Sequence, residues 1–143
     1  MTVIAWDGKS IAADKRATCS GLAVTATKIR RLESGEVMAY TGDQDAGEIL
    51  MQWYECGADP LLWPVAQQSS KNWTRLIIAD ADGCKFFEQR HIAIVVEDAF
   101  AAWGSGRDFA IAALHCGKSA REAVEVASIY CITCGNGVDS FDL

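Results

Sequence analysis

Thr2-Val3-Ile4-Ala5-Trp6, followed by Asp7-Gly8 and by Ser10-Ile11-Ala12-Ala13-Asp14-Lys15-Arg16-Ala17-Thr18, is the stretch that decides how this chain reads. Two short apolar runs around an Asp-Gly turn predict a tight hairpin, residues 3–6 paired with residues 10–13, ending in a charged turn. Just ahead of its first strand, directly behind Met1, stands a threonine. If Met1 is removed, Thr2 carries a hydroxyl nucleophile and a free α-amine on one residue. A hydroxyl is a weak nucleophile until a base takes its proton, and a terminal amine with a pKa near ~8 can be that base. One processed residue then supplies nucleophile and base together, the N-terminal threonine variant of hydrolytic catalysis. With Met1 retained, the same nitrogen is tied up in a peptide bond and the arrangement is not assembled.

Outward from this hairpin the β pattern continues over residues 22–24, 28–32 and 36–41, the last two joined by a Ser34-Gly35 turn. Gly42-Asp43 ends it. Asp43 or its neighbour caps a helix over about 44–56, with Ile49, Leu50, Trp53 and Tyr54 as its apolar face and Gly57 and Pro60 as its stop. Residues 61–64 read as a short helical turn and 67–70 as loop. A second β-run follows over 74–79, 84–88 and 92–96, with a turn at 80–83 and a further strand at 99–103. Two helices are expected over 106–116 and 119–133, the second opened by a capping box of Ser119 and Glu122. Residues 135–143 carry too little pattern to assign. The order β-run, helix, β-run, two helices argues for stacked layers rather than βαβ units. The fold class is α+β: two antiparallel sheets face to face with helices outside both. At 143 residues, half of them apolar, the chain is read as one domain over 1–143.

The net charge of −6 and a pI near 4.8 argue against a nucleic-acid partner, which needs clustered Lys and Arg. The one basic cluster, Lys28, Arg30 and Arg31, alternates with apolar residues like a strand with a charged face. No run reaches the ~18 apolar residues of a membrane span and no charged segment precedes an apolar one, so a cytoplasmic protein without membrane contact is expected. The six cysteines are then reduced thiols rather than a disulfide frame. Cys131-Ile132-Thr133-Cys134 is a C-x-x-C without a second pair at zinc spacing, and is read first as buried and structural, with a metal or redox role as the lesser alternative. With only His91 and His115 available, a Ser-His-Asp triad has thin support.

The motifs stand in a specific order: T-x-I-x from Thr2, I-A-x-D-x-x-A-T at 11–18, K-x-R-R-L at 28–32, G-D-x-x-A at 42–46, G-S-G at 104–106, S-A-R-E-A at 119–123 and C-I-x-x from Cys131. In this order and spacing the chain resembles the proteasome β-subunit family of N-terminal nucleophile hydrolases, most nearly the bacterial two-component type in which a peptidase ring docks on a ring ATPase. The resemblance implies a four-layer αββα sandwich and a threonine-type peptidase hydrolysing polypeptide substrates. It also implies a closed homo-oligomeric ring, a ring ATPase partner, and no required cofactor. Between its β-runs the family has two long helices, so the second is expected here in shortened form over 60–70. Trp53, Trp63 and Trp73 are candidate interface surface, although core packing explains tryptophans equally well.

On the family pattern Thr2 is the nucleophile. Lys28 is the cation that disfavours protonation of its amine, and Asp14 is the anchor of that lysine. Ser105 bonds near the amine, and Gly106 opens a helix whose amides face developing negative charge. The family takes its oxyanion-hole amide from a glycine just after a strand. Against Ala39-Tyr40-Thr41-Gly42 the strict match is missing, so Ala39 or Tyr40 is expected to supply the amide, with Tyr40 narrowing the pocket. The segment near 20–22 is expected to line a specificity pocket. The backbone carbonyls of Ser128, Cys131 and Cys134 match those that hold a monovalent or divalent structural cation. Two rival readings share these residues: an N-terminal nucleophile amidohydrolase acting on a small amide, and a non-catalytic ring or scaffold subunit.

Overall fold

β1 (Val3–Trp6) is buried along its whole length because it has a core on each face. Val3 and Ala5 join one cluster, Ile4 and Trp6 another, the period-two alternation of a strand. β2 (Ser10–Asp14) pairs antiparallel with it, Ala5 opposite Ala12, and divides the same way. Ala12 enters the first cluster, Ile11 and Ala13 the second. Burial on two sides is what the unbroken apolar run encodes. Asp7 fastens the turn, its Oδ1 accepting the amides of Lys9 (2.9 Å) and Ser10 (2.7 Å).

The computed structural model describes residues 1–64 and 74–143. Its other elements are β3 (Arg16–Cys19), β4 (Leu22–Thr25), β5 (Ile29–Arg31), β6 (Val37–Thr41), α1 (Gln44–Glu55), a 3-10 turn at Pro60–Leu62, β7 (Arg75–Asp80), β8 (Gly83–Phe87), β9 (Ile94–Val95), β10 (Ala101–Gly104), α2 (Arg107–His115), α3 (Ala120–Tyr130) and β11 (Val138–Asp142). One antiparallel sheet runs β10-β1-β2-β11, a second β5-β6-β7-β8-β9, and β3-β4 form a separate ribbon.

Three clusters show the layering. Ala110, Leu114, Ala123 and Val124 of α2 and α3 cover Val3, Ala5 and Ala12 on the outer face of the first sheet. Ile4 and Ile11 meet Val37, Ala39 and Ile77 between the sheets. Met38, Tyr40, Leu76 and Ile78, on the far side of the second sheet, meet Leu50, Met51 and Trp53 of α1. This is the expected four-layer αββα sandwich of an α+β fold.

The tail differs from the sequence reading, since residues 138–142 form β11, with Phe141 opposite Ile11 of β2. A half-exposed edge strand sends only Phe141 and Leu143 toward the inter-sheet core, too few apolar residues for an alternation to register. The charged turn at Lys15 is a one-residue break, after which β3 begins. α3 ends at Tyr130 rather than near 133, because Cys131 is extended (φ −91°, ψ 111°) and Cys134 N–H turns back to its carbonyl (3.0 Å). Asp43 caps α1 as expected, accepting from Ala46 N at 2.9 Å. Trp53 and Trp63 are core residues, 7% and 8% exposed and packed edge to face at 4.8 Å, so they offer no interface surface. Trp73, the loop at 67–70 and most of the shortened helix expected over 60–70 lie outside the described residues.

Candidate active site

Sheet register brings Thr2 to Asp14. With Ile4 opposite Ala13, the residue just before β1 lies beside the last residue of β2. Thr2 is 1% exposed, and its Oγ1 donates to Asp14 Oδ1 at 2.7 Å. Lys28, at the entrance to β5, is 4% exposed. Its Nζ donates to Thr2 Oγ1 and to Asp14 Oδ1 (2.8 Å). Asp14 also accepts the amides of Val3 (3.0 Å), Gly135 (3.0 Å) and Arg16 (3.2 Å). A buried carboxylate with this many donors is satisfied. Burial pushes the Lys28 ammonium below its ordinary pKa while the Asp14 charge and hydrogen bond pull it back up; the net is a lowering.

The loop after β10 holds Thr2 from the other side. Ser105 Oγ accepts Thr2 N–H at 3.2 Å and lies 3.2 Å from Thr2 O, and Gly106 N–H donates to that carbonyl at 3.3 Å. Gly104 has φ +93°, and a Cβ there would fall on the Thr2 carbonyl, so this position tolerates only glycine. Gly106 is the N-cap of α2. Its amide is engaged by Thr2, so Gly106 positions the threonine rather than facing an open oxyanion site.

Ala39 and Tyr40 do not offer the free amide expected of them. Tyr40 N–H donates to Lys28 O at 3.2 Å, and Ala39 lies inside the ladder between Ile29 and Ile77. Gly42, which the motif order does not single out as a donor, borders the same site. It has φ +105°, and a Cβ would come within 2.8 Å of Thr74 Oγ1. Gly42, Tyr40 and Gln44 from the β6–α1 junction, Ala17 and Thr18 from β3, and Met1, Thr2 and Lys28 enclose a cavity of ≈ 40 Å³. The signal was available: Gly42 ends a strand and precedes a helix cap. The segment at 20–22 is the exposed tip of the β3–β4 ribbon, and β3 lines the cavity through Ala17 and Thr18 instead. The Tyr40 hydroxyl is buried without a hydrogen-bond partner among the described residues, and burial pushes it up to about 12.

Beyond Ser105 lies the turn after α3. Ser105 Oγ is 2.8 Å from Thr133 Oγ1 and 3.7 Å from Cys134 Sγ. Burial pushes the Cys134 thiol up to about 12. At Cys131 burial raises the thiol, but hydrogen bonds with Thr133, Cys134 and Ser105 outweigh it and the net is a lowering. The Cys131 carbonyl accepts Cys134 N–H, and Arg16 Nη1 donates to the intervening Ile132 carbonyl at 2.8 Å. A guanidinium therefore stands in the same turn as the Cys131 and Cys134 carbonyls, on the neighbouring Ile132 carbonyl. Neither His91 nor His115 lines the Thr2 cavity.

The fold is that of proteasome-type N-terminal nucleophile hydrolases. Among solved structures, the chain is similar to BPH of Thiobacillus denitrificans in complex with epoxomicin (TM-score 0.75, 22% identity, covering 100% of this chain and 98% of that one). It is similar also to eukaryotic HslV from Trypanosoma brucei (TM-score 0.74, 20% identity, covering 99% and 98%). No family model matches the sequence, and no curated protein does. No helix among the described residues is long and apolar enough to cross a membrane.

Proposed function

We propose that this protein is a threonine peptidase whose nucleophile is Thr2 Oγ1, exposed by removal of Met1. The observation that carries the reading is the buried Thr2 hydroxyl held by both Lys28 and Asp14, with Ser105 on its backbone nitrogen. Met1 is 56% exposed and forms one wall of the cavity. Its loss frees the Thr2 amine beside Ser105 and opens the cavity to a substrate carbonyl. The neutral amine takes the hydroxyl proton, directly or through a water, as Oγ1 attacks. Lys28, fixed by Asp14, keeps a positive charge next to that amine, which favours its neutral form and steadies the developing oxyanion. The Thr2 ammonium then hands that proton to the leaving nitrogen as the C–N bond breaks, the amine product departs, and an ester remains on Thr2, which water, deprotonated by the same amine, cleaves.

Gly42 is the backbone donor of this reading. Alternate amides of a strand point to one edge, so Gly42 N–H shares the edge of Tyr40 N–H, beyond the last β5 partner, Lys28. The preference is for a small side chain next to the scissile bond, since the cavity that Tyr40 helps to line holds only ≈ 40 Å³. A closed homo-oligomeric ring, a cytoplasmic setting and a docked ring ATPase belong to the same reading through the likeness in fold. A cation on the Ser128, Cys131 and Cys134 carbonyls would share the turn with Arg16. Repulsion grows with charge, so a monovalent ion fits better than a divalent one.

The test is the intact mass of the purified chain after an epoxyketone probe. Loss of Met1 plus one adduct, absent in Thr2→Ala, is the expected result. A chain that keeps Met1 and takes no probe points instead to a scaffold subunit. A labelled protein that sediments as a monomer and cleaves only small amides points to the amidohydrolase.

A further inference from the structure

The turn after α3 holds two thiols that the threonine chemistry does not use. Cys131 Sγ and Cys134 Sγ lie 3.4 Å apart. The bond from Cys134 N–H to Cys131 O closes a turn that keeps the two α-carbons within about 7 Å. That overlaps the roughly 4.4–6.8 Å a disulfide spans, and the sulfurs have about 1.3 Å to travel to reach bonding distance. Cys134 is fully buried and wedged, since a Cβ at Gly106 would come within 2.8 Å of its sulfur. Cys131, at the end of α3, is only half-buried, so it is the sulfur an oxidant reaches and the one that moves. Both thiols border the residue that holds Thr2. Cys131 Sγ is 3.1 Å from Thr133 Oγ1, which is 2.8 Å from Ser105 Oγ, which in turn is 3.2 Å from Thr2 N.

We propose that Cys131 and Cys134 form a reversible disulfide in the presence of peroxide, and that closing it displaces Ser105 from Thr2 and slows the nucleophile. The effect on rate rests on the threonine-nucleophile reading; the disulfide does not. In the first step the Cys131 sulfur attacks one oxygen of hydrogen peroxide. The O–O bond breaks, a sulfenic acid forms, and the departing hydroxide takes the thiol proton and leaves as water. In the second step the Cys134 sulfur attacks the sulfenic sulfur. The S–O bond breaks, the S–S bond forms, and a second water leaves with the Cys134 proton. The two sulfurs lose two electrons, which reduce the peroxide. Because Cys134 is wedged, the turn carrying Thr133 moves, and with it the hydrogen bond that orients Ser105.

The experiment treats the purified chain with hydrogen peroxide, alkylates the remaining thiols with iodoacetamide in denaturant, and maps the peptides. Two of the six thiols are expected to become unreactive, joined as Cys131–Cys134, and dithiothreitol should restore them. Epoxyketone labelling of Thr2 should slow by up to about a hundredfold on oxidation, the scale of a displacement near 1 Å, and recover on reduction. Cys134→Ser should keep its own labelling rate when peroxide is added. Six alkylated thiols after peroxide, a cross-link elsewhere, an unchanged labelling rate, or equal slowing of Cys134→Ser would each overturn the proposal. If the reduced protein takes no probe at all, the nucleophile reading fails by itself. Amide hydrogen exchange across residues 103–107 then decides the coupling: faster exchange on oxidation supports it and unchanged exchange overturns it.

Discussion

The two helical layers of this molecule are packed in opposite ways. On the side of α2 and α3, the contact with the first sheet is made largely by Ala5, Ala12, Ala110, Ala113, Ala120, Ala123 and Ala127. On the side of α1 it is made by Met38, Tyr40, Leu50, Met51, Trp53, Trp63 and Phe87. Small residues let backbone approach backbone, and in that layer Gly104, Gly106 and the Ser105 loop close on Thr2 within hydrogen-bonding distance. Large aromatics fill volume, and single helix α1 covers its sheet by wedging rings, Trp53 meeting Phe87 edge to face at 5.3 Å. One layer sets positions near the nucleophile, and the other supplies apolar burial.

Gly104→Ala breaks the close layer where it touches Thr2, and epoxyketone labelling should fall about a hundredfold or more. Equal labelling of this variant and the parent would remove Gly104 from the positioning of Thr2. Trp53→Ala tests the opposite layer. It should cost about 3–5 kcal/mol in urea unfolding, while the folded fraction labels at the parent rate. A matching loss of labelling would mean that the two layers are not separable. Lys28→Met removes the partner of a buried carboxylate and should cost about 3–5 kcal/mol together with most of the labelling. Stability retained in full would show that the amides on Asp14 suffice. Ala123→Leu overfills the alanine layer. About 1–3 kcal/mol of lost stability is expected, and here labelling should slow as well, because α3 leans on β1 and on Gly106.

The smallest effect is in pH. Lys28 titrates below its ordinary 10.5 in the folded protein. Between that lowered value and 10.5 the unfolded chain holds more protons, so this group makes stability rise with pH across the window. Urea midpoints for the parent and Lys28→Met at several alkaline pH values measure it. The parent's slope should exceed the variant's, and identical slopes would contradict the lowered value.

Much of the fold was legible because it rests on local signals. Val3–Trp6 and Ser10–Asp14 announce a hairpin through an Asp-Gly turn, Asp43 and Ser119 announce helix starts, and both caps are made. β11 was not legible, because an edge strand needs little apolar alternation and takes its place from pairing with β2. Thr2, Lys28, Asp14 and Ser105 were singled out by motif order, and they meet in space. The amide near the nucleophile was assigned to Ala39 or Tyr40, because a motif does not reveal which N–H groups a ladder uses. Only the sheet shows that Tyr40's goes to Lys28 and that Gly42 borders the cavity.

By itself the sequence determined the layer order, the threonine behind Met1 and the residue types the chemistry needs, since periodicity, capping and turn chemistry act over a few residues. Tertiary structure alone decided the distances. Thr2 reaches Asp14 across 12 residues, Lys28 across 26 and Ser105 across 103. Strand register, a close-packed alanine layer and left-handed glycines at 42 and 104 set contacts of that range, and no local pattern encodes them.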